Sequence, residues 1–273
     1  MKQRGQVVCN IHLRTQELAE KNKNITDNIN YAQRIQHGLL SRPTQLNAIF
    51  PKSFVLDMPR DIVSGDFFWC YQRRNKKFIA VADCTGHGVS AAMMSIIGNN
   101  ILNSIVADEH IENPAEILEL LDTRVSETVK GDTQEVKDGM DIAICVLDSS
   151  YNELYFAGAL RPLFISNENG KITELPANRY SIGGGNDEGE KKFTTHRIPI
   201  YSGQRIYLST DGYYSQFGGL KGKKFMKSKF TNTLEVIQKV TLYDQKTELF
   251  NAVASWKGDM DQVDDIMVLG IEF

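Results

Sequence analysis

The run Phe78-Ile79-Ala80-Val81-Ala82-Asp83-Cys84-Thr85-Gly86-His87-Gly88 constrains this chain more than any other segment. A short apolar stretch that stops at a glycine-rich turn is the pattern of a buried strand, and here the strand delivers an acid to its end. Further acids stand in comparable places. They are Asp66 in Ser64-Gly65-Asp66, Asp211 in Ser209-Thr210-Asp211-Gly212, and the pair Asp264-Asp265 ahead of Ile266-Met267-Val268-Leu269. Each alone is an ordinary turn or capping residue, because Asp-Gly and Gly-Asp are common turns. Together, carboxylates at strand ends beside glycine suit a hard divalent cation, which prefers oxygen ligands. The first reading is a metal-dependent hydrolase.

Composition narrows the class. With 273 residues, 41% of them hydrophobic and 24% charged, a substantial core is expected. A formal net charge of -3 and a pI near 6.0 lack the basic excess of a nucleic-acid or membrane-surface binder. Cys9, Cys70, Cys84 and Cys145 are far apart, with no Cys-x-x-Cys spacing, so neither a zinc site nor a redox motif is expected. Reduced thiols in a cytoplasmic protein are the expectation. The start, Met1-Lys2-Gln3-Arg4-Gly5, has no signal-peptide run, and nowhere do about eighteen apolar residues follow one another. Direct membrane insertion is not expected.

Residues 1–42 are expected to form an N-terminal helical linker, and residues 43–273 the main domain. From about residue 11 to 40 the chain is polar and free of proline, and Ile11, Leu18, Ile25, Ala32 and Leu39 recur seven apart. The other seam, Arg14, Lys21, Asn28 and Ile35, is mostly polar. A dimerising signalling helix and a helix packed on its own domain both remain open. Ser41-Arg42-Pro43 ends it, since proline lacks the amide donor and disfavours helix in the residue before it.

Beyond Pro51, β-rich runs are expected at 54–56, 67–71 and 78–81, the last two forming a hairpin across a charged turn at 72–77. Apolar residues at helical spacing over 89–106 and 114–129 predict two adjacent helices. Strands are expected again at 142–147, 153–157, 163–165, 171–175, 193–198 and 205–208. Residues 181–190 read as a glycine-rich acidic loop without apolar anchors, 223–256 as helical, and 266–271 as a last strand. The order implies an α+β fold, two sheets packed together with helices outside.

Mg²⁺ and Mn²⁺ favour octahedral oxygen coordination and retain waters, so a few carboxylates and a backbone carbonyl can hold two ions. Such a pair shares a water, lowers its pKa and clamps a phosphoester. Asp83 is the best candidate for the shared ligand, with the Cys84 carbonyl beside it. Gly86 and Gly88 permit close backbone approach, and the helix starting near Val89 points its N-terminus at an anion.

These segments resemble a known family. Ser64-Gly65-Asp66-Phe67-Phe68, the run from Ala82 to Ala92, Ala157-Gly158, Leu208-Ser209-Thr210-Asp211-Gly212 and Asp264-Asp265-Ile266 stand in the order typical of SpoIIE-like (stage II sporulation type) serine phosphatases. That group belongs to the metal-dependent protein phosphatase (protein phosphatase 2C) superfamily, and the resemblance covers about residues 31–273. It implies a β-sandwich flanked by helical layers (α-β-β-α), two Mn²⁺ or Mg²⁺ ions at one edge, and a phosphoserine or phosphothreonine protein as substrate. By the same resemblance, Asp83 is the bridging ligand and Cys84 lends its carbonyl. Asp211 and Asp264 complete the first ion, with Asp265 as the alternative in an acidic pair of ambiguous register. Asp66 acts at the metals directly or through water, and Arg60 is the phosphate clamp. Some relatives carry a histidine two residues after the bridging aspartate. Here Thr85 stands there and the histidine is His87.

The resemblance also implies a small regulatory substrate, such as a phosphorylated anti-sigma-factor antagonist, and an N-terminal helix that transmits a signal. Two other readings are kept: an interaction module of the same fold without catalysis, and a metal-dependent nuclease or nucleotide phosphohydrolase. The full set of acids argues against the first, and the lack of a basic channel against the second.

Overall fold

The apolar runs pair into two antiparallel sheets laid face to face, as the sequence implies. The computed structural model describes residues 2–129, 138–184 and 191–273, with side chains from residue 12 onward. Helices α1 (Lys2–Leu39) and α2 (Pro43–Ile49) lead into strands β1 (Ser53–Met58), β2 (Phe67–Arg73) and β3 (Lys76–Cys84). Helices α3 (Val89–Asn103) and α4 (Pro114–Val129) follow. Next come β4 (Gly139–Asp148), β5 (Glu153–Ala159), β6 (Leu163–Ser166), β7 (Ile172–Leu175), β8 (Ile182–Gly183), β9 (His196–Pro199) and β10 (Arg205–Ser209). The chain closes with α5 (Gly212–Ser215), the short pair β11 (Phe217–Gly218) and β12 (Lys223–Lys224), α6 (Lys227–Val236), α7 (Leu242–Lys257) and β13 (Ile266–Glu272).

One sheet runs in the order β1-β13-β10-β6-β7 and the other β2-β3-β4-β5-β9, with β8 added beside β4. Alternation along each strand sends one set of side chains inward. Phe68, Ile79, Val81, Cys145 and Phe156 of one sheet meet Val55, Leu163, Ile206, Leu208 and Leu269 of the other. The opposite side chains of β2–β4, including Trp69, Phe78, Ile142 and Ile144, pack under α3 and α4. Tyr207, Phe164 and Val268 do the same under α6 and α7, against Phe230, Leu234 and Leu249. The result is the expected α-β-β-α layering. The stretch Val89–Asp108 is long and apolar enough to cross a membrane, but half of it is buried against the protein. Cys70, Cys84 and Cys145 are free thiols.

Several local expectations change. The β2–β3 hairpin turns on Arg74 and Asn75 alone, with Arg73 paired to Lys76 and Arg74 at φ 52. Its ladder therefore runs through residues read as a turn, because their charged side chains point away from the core while their backbones keep pairing. The 193–198 run is a strand only from His196. Phe193 leaves the sheet to meet Tyr180 edge-on at 5.0 Å between centroids. The 181–190 segment does have an apolar anchor: Ile182 is fully buried and pairs with Met140. Residues 185–190 of that segment lie outside the described residues. The 223–256 stretch, read as helical, opens as the short strand β12 and becomes helical only from Lys227, as α6 and α7 with a tight turn at Ile237–Lys239 between them.

Among the described side chains, helix α1 is held to the body near its end. Leu18 and Ile25 are more than half exposed. Gln33 Nε2 donates to the Ile62 carbonyl at 2.6 Å, and buried Gln36 donates through Nε2 to the Ser64 carbonyl at 2.6 Å and to Ser95 Oγ at 2.9 Å.

Candidate active site

Strand register brings the acids together. Phe67 pairs with Ala82, which sets Asp66 opposite Asp83 at the open end of β2 and β3. Asp83 pairs directly with Asp141 on β4. In the other sheet Ser209 pairs with Val268 and Met58 with Ile266, so Asp211, Asp264, Asp265 and Arg60 emerge at one edge. The charges of Asp66, Asp83, Asp211, Asp264 and Asp265 act on one another. All the acids singled out in the sequence thus lie in one cluster, drawn from both sheets.

The Gly65-Asp66 corner is tightly fitted. A Cβ on Gly65 would stand 2.8 Å from Ala91 Cβ and 3.3 Å from the Cys84 carbonyl oxygen. That carbonyl therefore faces the corner carrying Asp66, while the Cys84 thiol is buried in the core under α3 and kept protonated by burial. Gly86 and Gly88 take φ 87 and 73, left-handed values that favour glycine, and Gly88 caps α3.

Asp264 and Asp265 have different surroundings. Asp265 is buried and spends both oxygens on backbone amides: Oδ1 accepts from Arg60 N at 2.7 Å and Oδ2 from Gly65 N at 2.8 Å. Asp264 is half-buried and accepts the Asp265 amide on Oδ1 at 2.9 Å. The guanidinium of Arg60 sits at the rim, Nη1 donating to the Val263 carbonyl at 3.1 Å. His87 is exposed, its Nδ1 3.4 Å from Asp61.

Electrostatics follow from burial. Burial, reinforced by the Asp83 charge, holds the Asp66 carboxyl well above its usual range, and Asp66 Oδ2 is buried with no hydrogen-bond partner. Burial likewise raises Asp83, against the opposing charge of Arg161. It also disfavours charge on Asp211, but there Arg161 and hydrogen bonds from Asp83 and Ser215 outweigh it and lower the pKa. Asp264 is raised, chiefly by burial. Burial and the neighbouring acids outweigh the positive charge that reaches Asp83 and Asp264 from Arg161 and Arg60. Among the described residues no three His, Cys, Asp or Glu side chains form a ready-made metal cage. The donor chemistry fits a divalent cation nonetheless: carboxylate oxygens, one of them orphaned, beside a strand-end carbonyl.

Three members of this site escape a reading of the sequence. Asp141 is the third residue of β4, immediately ahead of the apolar run at 142–147 that marks the strand. Arg161, in the β5–β6 turn, sends Nη2 to Asp83 Oδ2 at 2.7 Å, Asp141 Oδ2 at 3.0 Å and Asp211 Oδ1 at 3.1 Å. Ser181 Oγ donates to Asp141 Oδ1 at 2.6 Å. The available signals are an acid immediately ahead of an apolar run and an arginine three residues after Ala157-Gly158.

Comparison with known proteins identifies the family and the fold. Comparison with curated sequences returns no match. Among solved structures, the SiaA-PP2C domain of Pseudomonas aeruginosa is similar at 30% identity and TM-score 0.83, over 93% of this chain and 98% of that one. The PP2C phosphatase domain of SpoIIE from Bacillus subtilis, with a fragment of its regulatory domain, matches at 17% identity and TM-score 0.65, over 81% of this chain and 62% of that one. RsbX in complex with magnesium matches at 15% identity and TM-score 0.54, over 81% and 94%. The sequence family described as Stage II sporulation protein E (SpoIIE) matches residues 74–273. The chain belongs to the SpoIIE family and has the fold of PP2C-type protein phosphatases.

Proposed function

We propose that this chain is a Mn²⁺- or Mg²⁺-dependent protein phosphatase that hydrolyses phosphoserine or phosphothreonine. The observation that carries the reading is the gathering of Asp66, Asp83, Asp211 and Asp264 from separate strand ends into one cluster, with a buried carboxylate oxygen of Asp66 left without a partner. Two bound ions would supply an activated water and neutralise charge on the phosphoryl oxygens. Asp83 would be the shared ligand, with the Cys84 carbonyl, Asp211 and Asp264 completing the set and Asp66 beside it. Asp265 holds the Arg60 and Gly65 amides instead, which places Arg60 at the rim, where its guanidinium is the candidate phosphate clamp. A phosphorylated regulatory protein of the anti-sigma-factor-antagonist kind, in cytoplasmic signalling, is the substrate class this reading names.

The N-terminal helix is the proposed dimer contact. Leu18, Ile25 and Leu39, each seven or fourteen residues from the next, are exposed along α1. A second copy of the same helix would cover them as a coiled-coil seam.

One assay tests the activity. Purified protein with Mn²⁺ is offered a phosphoserine protein, a phosphodiester and a nucleotide, alongside Asp83→Asn. Hydrolysis of the phosphoprotein alone, lost in the variant with its fold intact by circular dichroism, is expected. Full activity in D83N, or preference for the nucleotide or phosphodiester, would sink the reading.

A further inference from the structure

Arg161 stands in the cluster without belonging to the acidic pattern, and its contacts have an uncommon form. A single nitrogen, Nη2, has three carboxylate oxygens from three different strand ends within 3.1 Å. It carries only two protons, so it cannot hydrogen-bond all three at full strength. This is how a point cation is surrounded, unlike the two-pronged pairing an arginine usually makes with one carboxylate. The rest of the fork confirms the difference: Nη1 donates to Tyr214 Oη at 3.3 Å, and Nε is buried with no partner.

The turn is built to keep the side chain there. Leu160 takes φ 59, a left-handed value that strains a non-glycine residue. Its amide is held by the Asn178 carbonyl at 2.9 Å, and a Cβ on Gly158 would come within 2.4 Å of the Arg161 carbonyl. Asp141, which is not among the proposed metal ligands, is pinned by Ser181 and anchors the guanidinium. The Arg161 side chain is 11% exposed, so its charge is little screened by solvent.

We infer that Arg161 is a built-in counter-cation for Asp83 and Asp211 that competes with a divalent ion for the same oxygens, and so sets how tightly the centre takes its metal. The inference rests on the metal-dependent reading above. Two cations cannot both neutralise these carboxylates fully, so whatever Arg161 contributes to holding the cluster is subtracted from metal binding. Arg161 is accordingly a positioning residue that tunes affinity.

The test compares Mn²⁺ binding by calorimetry in wild type, Arg161→Met and Arg161→Lys, with thermal unfolding in chelator and in Mn²⁺. R161M should bind Mn²⁺ about tenfold more tightly, and should unfold earlier than wild type in chelator but not in Mn²⁺. R161K, keeping the charge without the planar group, should fall between. Unchanged or weaker binding in a folded R161M would overturn the inference while leaving the metal reading intact. If R161M does not fold, R161K decides: tighter binding supports the inference and unchanged binding overturns it. A wild type that binds no Mn²⁺ would overturn the metal reading itself, and this inference with it.

Discussion

Asp265 Oδ2 accepts the backbone amide of Gly65 at 2.8 Å across 200 residues of chain, tying the β1–β2 loop to the start of β13. Its other oxygen takes the Arg60 amide, so this carboxylate is committed at both ends to positioning the loop that carries Arg60 and Asp66. Asp264, one residue earlier, has no such duty on Oδ2.

The two acids should therefore fail differently. Asp264→Asn should weaken Mn²⁺ binding about tenfold or more with little change in stability, as loss of a ligand does. Asp265→Asn puts an amide donor against a backbone amide and should cost roughly 1–3 kcal/mol of folding stability. Calorimetric Mn²⁺ titration and urea unfolding of both variants check this; the reverse pattern would make Asp265 the ligand.

Gly65 is needed for space. An added methyl group meets Ala91 Cβ at 2.8 Å and the Cys84 carbonyl at 3.3 Å, so either α3 or the Asp66 corner must shift. Gly65→Ala should lose about 1–3 kcal/mol of stability and reduce phosphatase activity, read by denaturant unfolding and by Mn²⁺-dependent phosphate release. A variant as stable and active as wild type would show that the corner yields freely.

The pH dependence should run against the common carboxylate pattern. Burial lifts the Asp83 carboxyl from its ordinary 3.8 to about 8, and raises Asp66 as well. Between those values the folded protein holds protons that the unfolded chain has released, so stability falls as pH rises. Asp211, lowered, has the opposite effect, but only below its ordinary value of 3.8. In chelator, urea midpoints should decline from about pH 5 to about pH 8, and added Mn²⁺ should recover more at the upper end. A midpoint that rises with pH in chelator would contradict these burial effects.

The linker reaches the site through Gln36, whose amide bonds the Ser64 carbonyl two residues before Asp66. Gln36→Leu should leave that carbonyl unpaired, cost about 1–3 kcal/mol and lower activity although the residue is remote from the acids. Deleting residues 1–30 keeps Gln33 and Gln36 and removes most of the exposed stripe. That truncation should abolish dimerisation while leaving a folded domain, as measured by light scattering and circular dichroism. A truncated protein that stays dimeric would place the contact elsewhere.

The layered architecture, the two adjacent helices and the acids that gather at the sheet ends can all be read from the sequence alone. Those follow from local patterns: apolar alternation sets which face of a strand is buried, and the acids announce themselves at the ends of those runs. Asp66, Asp83 and Asp211 were legible for that reason. Tertiary structure alone separated Asp264 from Asp265, because their difference lies in amides some 200 residues away. It alone brought Asp141 into register with Asp83. It also turned Arg161 inward, since nothing local marks an arginine in a turn as the charge that three distant strand ends share. Contacts that cross between strands are set by register and sheet packing, and no spacing along the chain records them.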